Sequence, residues 1–206
     1  MGMQAVSDFE SRLTGKVEAD FAWIEKFEET FGVNAEWLKS GVGQPFATTL
    51  VCLDDPRRYQ ELIEALQPRE ICFVRSSGEI GEITMVFGWA EKKYLVAADM
   101  WHLSDCVGSG GARSIVEFYE FLKNMETTFH MTLRPEGHVV APGVFDDLMN
   151  GRVYPRSVLI GRDAPWWDDF VDIEHRWPIA KNYEKQWGAG FVFAQRIVRD
   201  ALALGA

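Results

Sequence analysis

EICFVRSSGEIGEITMVFGWAEKKYLVAAD, residues Glu70 to Asp99, carries three β-rich segments, Glu70 to Arg75, Ile80 to Trp89 and Lys93 to Asp99. Only Ser76-Ser77-Gly78 and Ala90-Glu91-Lys92 separate them. Connections that short close antiparallel hairpins, whereas a parallel pair needs a crossover of a dozen or more residues. The stretch therefore predicts a β-meander. Upstream, the run from Thr48 through Leu53 reads as another strand, and Asp54-Asp55-Pro56 places an Asp cap and a first-turn Pro at the start of a helix to about Leu66. Downstream, Ile115, Phe118, Phe121 and Leu122 recur at helical spacing and predict a long helix over Ser114 to Met125.

A further strand is expected over Thr128 to Leu133, then a turn at Pro135-Glu136-Gly137 leading into Val139-Val140. Helices are expected over Gly143 to Met149, Trp166 to Val171, Ile179 to Trp187 and Ala189 to Leu204. Strands come in a run and helices mostly afterwards, so residues 47–206 read as an α+β domain with an antiparallel sheet and C-terminal helices, serving dimerisation or ligand sensing. Residues 1–46 differ in texture. Helix formers dominate there, and the stretch ends in Ser40-Gly41-Val42-Gly43-Gln44-Pro45, a boundary signal. Phe21, Ile24, Phe27 and Phe31 share one face of a helix bounded by Asp20 and Gly32, and Asn34 caps a short helix carrying Trp37 and Leu38.

The segment Phe31-Gly32-Val33-Asn34-Ala35-Glu36-Trp37-Leu38-Lys39-Ser40-Gly41-Val42-Gly43-Gln44-Pro45-Phe46 resembles the end of the DNA-binding domain of lambda-repressor-like (XRE, Cro/C-type) helix-turn-helix regulators. Val6 to Lys16 is similar to that family's recognition helix, and Phe21 to Phe31 to its fourth helix. The resemblance covers about residues 6–46 and no counterpart of the first two helices precedes them, so the module is incomplete. It implies a prophage-type or bacterial transcriptional regulator that is cytoplasmic and homodimeric, with DNA as its partner and a possible small-molecule effector. By the same resemblance, Ser7, Asp8, Glu10 and Ser11 would lie near bases or phosphates, with Arg12 and Lys16 on phosphates. Residues 1–46 nevertheless carry four basic residues, Arg12, Lys16, Lys26 and Lys39, against eight acidic ones. That balance is poor for a DNA surface.

The whole chain of 206 residues has a net charge of −10, so any contact with nucleic acid must be local. Its 47% hydrophobic and 25% charged residues are the balance of a folded globular protein. No apolar run approaches the roughly 20 residues that span a bilayer, and no secretory signal pattern is present. Cys52, Cys72 and Cys106 are irregularly spaced and predict buried thiols.

Gly108-Ser109-Gly110-Gly111-Ala112-Arg113-Ser114 follows a strand and precedes a helix, and Ser109, Arg113 and Ser114 are the candidate ligand contacts. It matches neither a P-loop nor a dinucleotide fingerprint. His102 and Cys106 lie one helical turn apart, and two ligands do not make a metal site. Asp168, Asp172 and His175 read as a solvated acidic face beside Trp166 and Trp167, and Asp146 with Asp147 as a helix surface. No catalytic triad, cofactor motif or metal set is legible. The alternatives to a regulator are a small-molecule-binding or enzymatic α+β domain with a structural helical attachment, and a protein–protein adaptor.

Overall fold

The computed structural model describes residues 6–46, 48–49, 56–90, 93–98, 101–104, 109–129, 135–161, 164–174 and 182–205. Helices α1 (Val6–Leu13), α2 (Phe21–Phe31) and α3 (Ala35–Ser40) open the chain. Asp20 accepts a hydrogen bond from the Trp23 N–H, and Asn34 accepts from the N–H groups of Glu36 and Trp37. Gly32 and Gly41 close α2 and α3 at φ 65° and 70°, left-handed conformations that a Cβ disfavours. Helix boundaries here follow the local capping chemistry that the sequence displays. Phe9, Trp23, Phe27 and Phe31 form an aromatic row with neighbouring ring centroids between 4.6 and 6.2 Å, and Ile24 and Val33 are buried apolar side chains among the described residues of the unit.

There follow β1 (Thr48–Thr49), α4 (Pro56–Leu66), β2 (Glu70–Ser76), β3 (Glu82–Ala90), β4 (Lys93–Ala97) and β5 (Trp101–His102). Then come α5 (Ser109–Phe129), β6 (Glu136–Val140), α6 (Pro142–Met149), α7 (Pro155–Val158), α8 (Trp166–Val171), α9 (Tyr183–Trp187) and α10 (Ala189–Gly205). The α+β class is as expected. The meander β2–β3–β4 is antiparallel, but the sheet as a whole is mixed, in the order β1-β4-β3-β2-β6, with β5 beside β3. β1 pairs with β4 in parallel, and so does β6 with β2, which corrects the expectation of a purely antiparallel sheet. Hairpins are written into short local turns, whereas these two pairings join distant segments and leave no local trace.

The region after α5 departs further from expectation. Thr128 and Phe129, expected to begin a strand, end α5, and Glu136, expected in a turn, begins β6; residues 130–134 lie outside the described residues. Ile115, Phe118, Leu122 and Met125 continue a buried face, so packing overrides the β preference of Thr and Phe at the end of the helix. Of the strand expected from Thr48 to Leu53, Thr48 and Thr49 form β1, while residues 50–53 and the Asp54-Asp55 cap lie outside the described residues. Helix α7 was not expected.

The sheet is buried on both faces, which is why β2 and β3 read as nearly continuous apolar runs. Ile71, Phe73, Ile83, Met85 and Phe87 point into a large core with α4, α5, α8 and α10. Cys72, Val74, Val86, Tyr94 and Val96 point the other way, against Phe145, Leu148, Val158 and Leu159 of α6, α7 and the residue after it. Gly137 on β6 allows close approach from the large-core side: a Cβ there would stand 2.1 Å from the Ala164 carbonyl oxygen. The helical unit rests on this domain, with α2 on β4 and the Phe46 N–H donating to the Gly151 carbonyl at 3.1 Å.

Candidate functional site

Strand β2 alternates sides, so Arg75 leaves it on the same face as Ile71 and Phe73 and enters the aromatic core. Only 7% of its surface is exposed. Its guanidinium carbon lies 5.6 Å from the Trp166 ring centroid, 5.8 Å from Trp187 and 5.5 Å from Phe191. Nη2 donates a long bond of 3.4 Å to the Trp187 carbonyl, Nε has no hydrogen-bond partner, and no described carboxylate forms an ion pair with the side chain. Burial pulls the guanidinium down from 12.5 to about 10, which leaves it charged at neutral pH.

Arg75 lines a cavity of about 200 Å³ whose other walls include Ser76, Gly78, Leu103, Gly188, Gly190 and Phe191. The wall after β2 is a tight turn, with the Ser77 N–H donating to the Val140 carbonyl and the Gly78 N–H donating to Ser76 Oγ. The opposite wall is the first turn of α10, a 17-residue helix whose unpaired N–H groups and dipole favour an anion. Gly188, at φ 95°, separates α9 from α10 there. The site thus gathers a buried cation, a helix N-terminus and an apolar wall.

Trp187 is held in place by its Nε1–H, which donates to Asp169 Oδ2 at 2.8 Å. Asp169 is 2% exposed, and its carbonyl accepts from Gln195 Nε2 at 2.9 Å. Asp172 accepts the Tyr183 hydroxyl at 2.8 Å. Asp168 and Asp172 are half-buried and Glu174 is exposed, whereas Asp169 between them faces inward and anchors the cage; His175 lies outside the described residues.

The sequence-derived DNA residues sit on α1 and just after it. Ser7 and Glu10 are exposed, Ser11 Oγ donates to the Ser7 carbonyl at 2.6 Å, and Lys16 is exposed; the Asp8 side chain lies outside the described residues. Arg12 turns inward, with Nη1 3.2 Å from Asp20 Oδ2 and 3.4 Å from the Glu18 carbonyl. In the expected ligand loop, Ser109 to Gly111 already belong to α5; the Ser109 side chain and Gly108 lie outside the described residues. Arg113 is exposed and pairs with Glu117 at 2.6 Å, and Ser114 is half-buried one residue further on. Neither Arg113 nor Ser114 is among the described residues that line the Arg75 cavity. His102 belongs to β5, and Cys106 lies outside the described residues.

Sequence reasoning missed Arg75 itself. The available signal was a single cation inside the apolar run Ile71-Cys72-Phe73-Val74, followed at once by Ser-Ser-Gly. No family model matches the chain, and searches of curated proteins and of solved structures likewise return no match. Among the described residues no helix is long and apolar enough to cross a membrane.

Proposed function

We propose that the α+β domain is a binding module for a small anionic metabolite, one that presents a carboxylate or phosphate to Arg75. The observation that carries this reading is a nearly buried guanidinium with no carboxylate partner among the described residues, lining a cavity beside the start of a long helix. Burying an unpaired charge is costly, and a bound anion would offset that cost. The cavity is smaller than the roughly 300–1,000 Å³ of drug-sized sites, so the ligand is small, and Leu103, Trp187 and Phe191 give it an apolar wall. A thermal-shift panel of small carboxylates and phosphates tests the reading. At least one should raise the melting temperature of the wild-type chain in a concentration-dependent way and leave Arg75→Met unmoved. A flat response across the panel would count against it.

A second element completes the proposal: the helical unit, through its resemblance to repressor-like regulators, delivers the ligand signal to DNA, with the chain acting as a homodimer. What supports it is that Gly32 caps one helix and Asn34 the next, as the resembling segment leads one to expect. Against an extensive DNA surface stand the inward turn of Arg12 and the excess of acidic residues. Fluorescence anisotropy with upstream DNA of the gene, at low and physiological salt, with and without the anion, decides it. Sequence-selective binding that responds to the anion supports the regulator. Ligand binding with no selective DNA binding leaves a binding domain with a structural attachment.

A further inference from the structure

On the face of the sheet opposite Arg75, Cys72, Glu136 and His138 converge. We propose that these three side chains hold one zinc-type transition-metal ion. The parallel pairing of β2 with β6 puts Cys72 directly beside Glu136 and Val74 beside His138. Side chains two apart on a strand share a face, so Glu136 and His138 stand side by side along β6 and Cys72 faces them from β2. Their ligand atoms all lie within 4.8 Å of one another.

His138 supplies the independent observation. Its imidazole is 5% exposed, and Nε2 has no hydrogen-bond partner although it sits 3.6 Å from Glu136 Oε2. A tetrahedral ion with bonds of about 2.0–2.3 Å spaces its ligands about 3.5 Å apart, and the imidazole and carboxylate already stand at that separation. The half-exposed Glu136 side chain is free to adjust, and binding an ion would draw in the remaining separations, none of which exceeds 4.8 Å.

The donor chemistry selects the metal. Thiolate with imidazole and one carboxylate suits Zn²⁺ or Co²⁺, whereas Ca²⁺ and Mg²⁺ require shells of oxygen. Three protein ligands leave a fourth position on the solvent side, where Glu136 is exposed. Cys72 belongs to the apolar cluster of Val74, Phe145, Leu148 and Val158, and His138 is 5% exposed, so two of the three ligands stand in the dry surroundings that a metal site uses. A Cys72 thiolate and the Glu136 carboxylate would together balance the charge of a divalent ion. Cys72 is 1% exposed, which suits a ligand for an ion and not a nucleophile that must meet a substrate.

The test uses the full chain without a polyhistidine tag, titrated calorimetrically with Zn²⁺ and followed by absorption with Co²⁺. One equivalent of Zn²⁺ should bind, and Co²⁺ should give a thiolate charge-transfer band that Cys72→Ser removes. His138→Asn should weaken Zn²⁺ by roughly 100-fold or more, beyond the 10–100-fold that outer-shell partners typically cost. Glu136→Gln, at a half-exposed position that the fold tolerates, should weaken it by about 10-fold and so tests the site even if a core variant misfolds. The proposal is overturned if the folded chain takes up no stoichiometric Zn²⁺. It is equally overturned if affinity and cobalt spectrum survive in the variants, which would place the metal on other cysteines or histidines.

Discussion

The Arg75 guanidinium carbon stands 5.5 Å from the Phe191 ring centroid, so the cation at the end of β2 meets the first turn of α10 across a cage of aromatic faces. Aromatic rings attract a cation, typically by about 0.5–2 kcal/mol each, which recovers part of what desolvation costs. They provide no counter-charge. The arrangement keeps a charged group dry and oriented without a carboxylate partner among the described residues, which is what the proposed anion site requires.

The cage depends on Asp169, which fixes Trp187 through the indole N–H. Asp169→Ala should lower stability by roughly 1–3 kcal/mol, because it leaves a buried donor unsatisfied, and should also weaken anion binding. Denaturant melts paired with ligand titrations separate the two effects. A variant that loses stability yet binds the anion undiminished would show that Trp187 does not form the site.

Gly137→Ala should destabilise the domain by roughly 1–3 kcal/mol, since the added Cβ meets the Ala164 carbonyl oxygen, a backbone atom that cannot rotate away. Chemical denaturation measures this directly. A change below a few tenths of a kcal/mol would mean that the segment around Ala164 does not pack on β6 as described.

Asp20 ties the helical unit together, and the Trp23 N–H, followed by Arg12, holds its carboxyl below the ordinary 3.8. A carboxyl depressed in the folded state adds stability that is complete above its unfolded value and disappears as the pH falls through the folded one. The unit should therefore loosen in acid below about pH 4, with Asp20→Asn showing a weaker acid dependence. Tryptophan emission, which includes Trp23, followed along an acid titration checks it. Identical acid profiles for the two proteins would contradict the assignment.

Tyr183 behaves in the opposite sense. Burial, reinforced by its hydrogen bond to Asp172, raises the phenol above its ordinary 10.0. A group that binds its proton more tightly when folded contributes stability present below the unfolded value and lost as pH climbs past it. The protein should lose stability above about pH 10, and Tyr183→Phe should reduce that alkaline slope while costing about 0.5–1.5 kcal/mol at neutral pH. Melts at pH 7, 10 and 11 provide the comparison.

What the sequence made legible was local. Asp20, Gly32 and Asn34 act on backbone groups within a few residues, and the short turns between β2, β3 and β4 dictate antiparallel pairing. The parallel position of β6 beside β2 was hidden, because it is set by how α5 crosses the sheet and by the contact of Gly137 with Ala164. The sites share that difficulty. Arg75 reads as an ordinary strand residue until Trp187 and Phe191 arrive from the far end of the chain, and Cys72 meets Glu136 and His138 only through the parallel register.

The most direct measurement is calorimetric titration of the wild-type chain and Arg75→Met with the strongest anion from the panel, alongside a denaturant melt of each. The account predicts saturable one-to-one binding by the wild type and none by the variant. It also predicts a variant as stable as the wild type or more so, by up to about 2 kcal/mol, since an unpaired buried charge has been replaced by an apolar side chain of similar length. Binding that persists in Arg75→Met, or a variant that loses several kcal/mol because the cation was holding the aromatic cage together, would contradict the claim that Arg75 waits for an anion.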